Sequence, residues 1–350
     1  MQIHGPIASS SESVSSVLPF LPAHLVTQAR SQSSVTLIDG SEVSLCELTT
    51  DELIRLQYEQ ERQFAEAIKS SPKDSLEREL TIKHAYQTVC QILDEQATRE
   101  GSNGTLSMGM DRRYKKLVLE LLAKRRQSGS NDRIFEVGFG SGLLLKAVAE
   151  SGYGVGGLEV APQLFELAAS SIAPEHRQHL LFGDFRSLDL SDHFGQYGIV
   201  YWNDVMEHIA TDEVDEYLVQ IRKLLVDGGI LITITPNWHM RPSDITSSFF
   251  PPRTEAIGFH LKEYKLRETC KALRNAGFTG IITPTFISRQ QIMLPRWFEM
   301  TWAKTLLEPL LEWLPFPVTV QCCRRFGFNL TIATAASSPF GANHHSKTLC

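Results

Sequence analysis

The sequence predicts an α/β fold, a mostly parallel sheet covered by helices on both faces, and three observations carry that reading. From residue 133 onward, short apolar runs at 133–137, 154–159, 180–182, 199–202 and 230–235 alternate with helical patterns, which is how successive βαβ units read in sequence. Glycines at 138, 140 and 142 lie where the first run meets a helix. The chain has 350 residues, 42% hydrophobic and 21% charged, enough to bury a sizeable core and to exclude disorder over most of its length.

Residues 1–18 are rich in Ser and lack an apolar period, so residues 1–48 are expected to be mobile or irregular. Pro19 and Pro22 interrupt the only apolar stretch near the start, which argues against a signal peptide. No run of about 18 uncharged apolar residues follows, so no transmembrane helix is expected. Cysteines at 46, 90, 270, 322, 323 and 350 show no paired spacing and read as reduced thiols in a cytoplasmic protein. Thirty-four basic against 40 acidic residues leave a net charge of −6, which makes nucleic acid an unlikely partner.

Thr49 with Glu52 forms a capping-box pattern that opens a helix to about residue 68. A second helix is expected over about 74–94. Its apolar residues Leu76, Leu80, Tyr86, Val89, Cys90 and Leu93 recur at helical spacing, so one stripe should be buried. Together residues 49–109 make an N-terminal helical cap. A third helix over 111–126 turns Leu117, Leu121 and Leu122 inward. Its cations Arg112, Arg113, Lys115, Lys116, Lys124, Arg125 and Arg126 read as a solvated face, with phosphate binding as the alternative.

The strongest chemical signal is Phe135-Glu136-Val137-Gly138-Phe139-Gly140-Ser141-Gly142. Its glycines permit a tight turn and close approach to a ligand, and the helix that follows offers free N–H groups. A dinucleotide fingerprint would place a glycine where Leu143 stands, so the spacing is GxGxG and not that of a nicotinamide site. An acid, Glu159, ends the second strand 17 residues after Gly142, and Phe182-Gly183-Asp184-Phe185 follows the third.

These landmarks resemble the class I S-adenosylmethionine-dependent methyltransferases, over about residues 110–287, and in particular their small-molecule branch and its ubiquinone-biosynthesis O-methyltransferases. The resemblance implies a Rossmann-like seven-stranded sheet in a domain spanning 110–336, with S-adenosyl-L-methionine as cofactor. It implies that Glu136, Gly138, Gly140 and Gly142 surround the methionyl end and that Glu159 holds the ribose. Asp184 would then accept from the adenine amine with Phe185 beside the ring, and Asn203 would complete the cofactor contacts.

On the acceptor side, Asp204, Glu207 and His208 follow the fourth strand, and His260 lies in Gly258-Phe259-His260-Leu261. Two carboxylates and two imidazoles can hold a divalent ion such as Mg²⁺ that chelates two acceptor oxygens. The set resembles the ExxEH pattern of ubiquinone-biosynthesis and small-RNA 2′-O-methyltransferases, with the shorter Asp204 in the first place. The metal-free alternative makes His208 or His260 the general base, and a third reading leaves Glu207 and His208 as helix-start residues. Asn237, His239 and Arg241 are either acceptor contacts or loop polarity.

An insertion at about 288–324, longer than a usual connection, precedes the last strand and is rich in Trp, Leu and Met. It reads as extra core, as a lid over a hydrophobic acceptor, or as a shallow membrane contact. Residues 337–350 form a tail. The expected activity is O-methylation of a small aromatic or lipid-like acceptor. RNA 2′-O-methylation and a non-catalytic S-adenosylmethionine-binding domain are the alternatives, and the oligomeric state is left open.

Overall fold

A computed structural model describes residues 34–101, 111–288, 290–294 and 299–336. Its centre is a seven-stranded sheet in the order β5-β4-β3-β6-β7-β11-β8. β3 (Ile134–Val137), β4 (Val155–Glu159), β5 (Leu180–Phe182), β6 (Tyr197–Asn203) and β7 (Leu225–Ile234) run parallel. β11 (Leu330–Ala335) enters antiparallel between β7 and β8 (Phe278–Ile282). All four residues of β3 and all five of β4 are buried, as expected for strands covered on both faces. Because β3 pairs with both β4 and β6, the strand order reverses there, and a crevice opens at the carboxyl ends of the two strands.

The two faces carry separate cores. One packs Trp202, Tyr197 and Phe135 with Leu218, Ile221 and Leu273; the Trp202 indole N–H satisfies itself on the Thr233 hydroxyl at 2.7 Å. The other packs Leu117, Leu122 and Val118 of α3 (Arg112–Gln127) against Ile134, Leu145 and Ile199. Gly228 and Gly229 are part of β7, whose pairing with β6 shifts register between Tyr197 and Ile199.

The cap consists of α1 (Thr50–Ser70), opened by the Thr49–Glu52 capping box, and α2 (Leu76–Arg99). Two expectations about it fail. Residues 34–48 are not irregular throughout, since β1 (Ser34–Thr36) pairs antiparallel with β2 (Glu42–Ser44). Leu76 and Leu80 are 68% and 56% exposed. Val89 and Cys90 of the expected stripe are buried, joined by Arg78, Ala85 and Ile92; in the first turn of α2 it is Arg78 that turns inward, onto Asp212 at 2.8 Å and Glu213 at 3.0 Å. Residues 1–33, 102–110 and 337–350, together with Trp297, lie outside the described residues.

The insertion is held by buried charges. It includes β10 (Ile292–Met293), paired with β9 (Thr285–Phe286), then α8 (Glu299–Leu307), a 3-10 segment (Glu308–Trp313) and α9 (Phe316–Phe326). Lys304 donates to the carbonyls of Thr283 and Phe326 at 3.1 and 2.6 Å. Glu308 accepts from the Leu266 and Arg267 N–H groups and from Asn237; it satisfies orphan donors at the start of α7 (Leu266–Asn275). Arg241 grips Glu312 with both terminal nitrogens, at 3.1 and 2.7 Å, and His239 Nδ1 lies 2.7 Å from the same carboxylate. Asn237, His239 and Arg241 therefore anchor the insertion, which accounts for their polarity.

The hydrogen bond from Arg241 foremost, with help from His239, lowers the Glu312 carboxyl to about 2. Its folded value lies below its unfolded one, so its stabilisation is present above about pH 4.5 and fades as pH falls toward 2. Thermal unfolding followed between pH 2 and pH 7 should show wild type more stable than Glu312→Gln at neutral pH, with the difference shrinking through that acid window. A difference independent of pH would mean that the clamp does not hold the insertion.

Candidate functional site

The turn between β3 and α4 (Leu143–Glu150) is built from left-handed glycines, Gly138, Gly140 and Gly142, with φ of 68°, 54° and 73°. A Cβ at Gly138 would lie 2.8 Å from Val205 Cγ2, and one at Gly142 would lie 2.7 Å from Ala168 Cβ. Glycine is needed there for conformation and for space alike. Glu159, at the end of β4, holds the turn from the neighbouring strand. One carboxylate oxygen accepts from Gly140 N–H at 2.7 Å and the other from Val160 and Ala161 N–H at 2.8 and 2.9 Å. Burial raises its pKa and the three amides oppose that rise.

The turn walls a cavity of about 210 Å³. Every expected cofactor residue lines it: Glu136, Gly138, Gly140, Glu159, Asp184, Phe185 and Asn203 all do, save Gly142, which lies behind the turn against Ala168. Glu136 Oε2 and Asn203 Oδ1 are buried without a hydrogen-bond partner, and burial drives the Glu136 carboxyl well upward. Asp184 is already engaged by Arg186, whose Nε and Nη2 lie 3.0 and 2.7 Å from its two oxygens. Its Oδ2 accepts only that one bond and keeps acceptor capacity toward the cavity. Phe185 stacks on Tyr217 at 5.2 Å.

Sequence reasoning missed the roof. Ile82, Tyr86 and Cys90 of α2 line the cavity, whereas no described residue of the insertion does, so the cap covers the site and the described part of 288–324, for which a lid is one of three readings, does not. Arg78 latches that roof through Glu213, which Arg186 also holds at 3.1 Å, so roof and Asp184 share one ion-pair chain. The signal was Tyr86 and Cys90 at i, i+4 on a stripe that the methyltransferase-like core lacks.

At the floor, the structure brings Glu207, His208 and His260 together: each offers a ligand atom within 4.8 Å of the others. Asp204 is not in that set among the described residues; its backbone has φ of 53°, and its side chain faces the cavity and accepts from Asn203 at 2.9 Å. The two imidazoles, 4.9 Å apart and edge to face, differ in character. His208 Nδ1 lies 2.9 Å from the Phe259 carbonyl, which only accepts, so Nδ1 carries the hydrogen and Nε2 the lone pair. Burial, then the charge of His260, lowers His208 to about 3. Burial alone would lower His260 as well, but the Glu263 hydrogen bond and the charges of Glu207, Asp244 and Glu263 lift it to about 9. Only His208 of the pair lines the cavity, as a neutral acceptor beside a buried imidazolium. Burial, then Asp204, pushes Glu207 upward; its Oε2 accepts from Thr235 at 3.0 Å and its Oε1 has no partner.

Residues 135–231 match the family model described as a methyltransferase domain. That match covers little more than a quarter of the chain. Among curated proteins it is similar to ribosomal RNA small subunit methyltransferase A of Nostoc sp., 30% identical over 80 residues, which are 23% of this chain and 30% of that protein. The match thus spans about a third of the relative's length. Among solved structures, a putative methyltransferase in complex with the Haloferax volcanii Trm112 activator is 19% identical, over 72% of this chain and 96% of that one, with a TM-score of 0.42. The Haemonchus contortus phosphoethanolamine N-methyltransferase 2 in complex with S-adenosyl-L-methionine is 14% identical over 58% and 48%, with a TM-score of 0.36. The Rossmann-like architecture of the domain is evident in its own strand order.

Gly142→Ala should destabilise the sheet domain by about 1–3 kcal/mol, the cost of a left-handed non-glycine residue and a close Cβ contact. Urea unfolding checks this, and an unchanged midpoint would show that the turn relaxes freely.

Proposed function

We propose that the protein is an S-adenosylmethionine-dependent methyltransferase that methylates an oxygen of a small aromatic or lipid-like acceptor. The observation that carries the reading is the cavity itself, where glycine turn, strand-end acid, post-strand Asp184 and neutral His208 meet. The residues suit the cofactor: Glu136 Oε2 and Asn203 Oδ1 are free to accept from its ammonium and hydroxyl groups, Glu159 stands beside the turn for the ribose, and Asp184 Oδ2 can take the adenine amine. When bound, the cofactor supplies an electrophilic methyl group on a sulfonium.

His208 serves as the base in this reading. Its Nε2 accepts the hydrogen bond of an acceptor hydroxyl; the oxygen attacks the methyl carbon, the carbon–sulfur bond breaks, and the proton passes to Nε2 as the carbon–oxygen bond forms, when the oxygen has become acidic enough to give it up to a base held at about 3. Alignment within the roofed cavity supplies most of the remaining rate. His260 stays protonated on Glu263 and orients its neighbour. The apolar lining of Ile82, Tyr86, Phe185, Ile209 and Tyr217 favours an acceptor with an aromatic or aliphatic body. A roofed cavity and a net charge of −6 weigh against RNA.

A second reading rests on the unpartnered Glu207 Oε1. Glu207, His208 and His260 would hold a divalent ion that lowers the acceptor's pKa. Turnover on a panel of phenols, catechols and hydroxylated lipids, with and without chelator, separates the two. Chelator-resistant turnover lost on His208→Ala supports the base; turnover abolished by chelator and restored by Mg²⁺ or Mn²⁺ supports the metal. Binding without turnover on any acceptor would support a non-catalytic domain.

Glu159→Ala should weaken S-adenosylmethionine binding by about 1.5–3 kcal/mol, the worth of a hydrogen bond to a charged group. Calorimetry showing unchanged affinity would remove Glu159 from the ribose site.

A further inference from the structure

The segment from α8 through the 3-10 turn is folded with its polarity reversed. Thr301, Lys304, Glu308 and Leu311 point inward, and three of these four are polar or charged. Trp302, Leu306, Leu310 and Trp313 point outward, 59%, 69%, 58% and 87% exposed. Their spacing of four, four and three residues puts them on one stripe. Isolated exposed apolar residues are ordinary, but an aligned stripe of large ones ending in two indoles marks an interaction surface. Nor is the reversal an accident of weak packing, because Lys304 and Glu308 are each fixed by three or more hydrogen bonds.

Two cations stand on the helix that packs on the 3-10 part of the stripe. Lys304 binds the Phe326 carbonyl at the end of α9, which presents exposed Arg324 and Arg325. Arg113 of α3, itself paired with Asp111, donates to the Arg324 carbonyl at 3.1 Å. Arg125 and Arg126 are used internally, on the Asn131 and Gly152 carbonyls. Among the described residues no acid pairs with Lys115, Arg324 or Arg325. Glu312, between Leu310 and Trp313 in sequence, is clamped by Arg241.

We propose that this face docks the protein on an anionic lipid bilayer, with Trp302, Leu306, Leu310 and Trp313 entering the headgroup layer and Arg324 and Arg325 meeting lipid phosphates. Indoles suit the headgroup boundary, having an apolar body and one N–H donor. Basic side chains at the rim supply the attraction that a short apolar stripe lacks by itself. Among the described residues no helix is long and apolar enough to cross a membrane, so contact is from one side. None of the four stripe residues lines the cavity. The inference does not depend on the methyl-donor reading.

Co-sedimentation of the full chain with vesicles of phosphatidylcholine, with and without phosphatidylglycerol, tests it. Binding should require phosphatidylglycerol and weaken with salt. Arg324→Gln with Arg325→Gln should lower the partition coefficient on the order of tenfold or more, since each cation near such a surface counts for about fivefold. Trp302→Ser with Trp313→Ser should abolish sedimentation while leaving the thermal unfolding midpoint in place, because both side chains are exposed. No binding to anionic vesicles, or binding that both double variants retain, would overturn the proposal. So would a dimer in sedimentation velocity that Trp302→Ser with Trp313→Ser dissolves, which would assign the stripe to a second copy of the chain.

Discussion

The site depends on one carboxylate reaching between two strands. Glu159 leaves the end of β4 and accepts the Gly140 N–H, so the glycine turn after β3 is fixed by the adjacent strand and not by its own weak preferences. Three left-handed residues in five cost conformational entropy, and the charge-assisted bonds to Gly140, Val160 and Ala161 offset it. Because β3 is where the strand order reverses, the turn held this way opens directly onto the crevice of the sheet. Glu136, Asn203 and His208 then reach the same space from β3, β6 and the turn after β6.

A second layer of charge joins the cap to this centre. Asp212 and Glu213 hold Arg78 of the cap, and Glu213 with Asp184 holds Arg186. Apart from the half-exposed Asp212, these charges are largely withdrawn from water, where losing one partner leaves another uncompensated. The roof over the cavity and the Asp184 carboxylate are therefore parts of one network. Asp184 is linked in this way, through Arg186 and Glu213, to Arg78 on the helix that also carries Tyr86 two turns along.

How much of this is legible in the sequence varies with the range of the interaction. The alternating strands, the glycine turn, Glu159 and Asp184 are local signals, and each element lies within a few residues of its expected place. Glu207, His208 and His260 meet as expected, since the turn after β6 and the Phe259 segment converge. Long-range electrostatics was not legible. Leu76 and Leu80 have the period of a buried stripe, but Arg78 between them finds two acids about 135 residues away and rotates the helix accordingly. In the same way Lys304 and Glu308 turn inward and leave Trp302 and Leu306 outside, against the usual rule for an amphipathic helix. The different roles of His208 and His260 were hidden too, because they are set by the Phe259 carbonyl and by Glu263.

The account's central claim is that the crevice beside Glu159 is an S-adenosylmethionine site. Native mass spectrometry of the intact chain, with the cofactor added at increasing concentration, tests it most directly. The account predicts one added S-adenosylmethionine mass per chain, displaced by S-adenosylhomocysteine. A chain that gains no such mass at any concentration, or gains it equally with Glu159→Ala, would contradict the account.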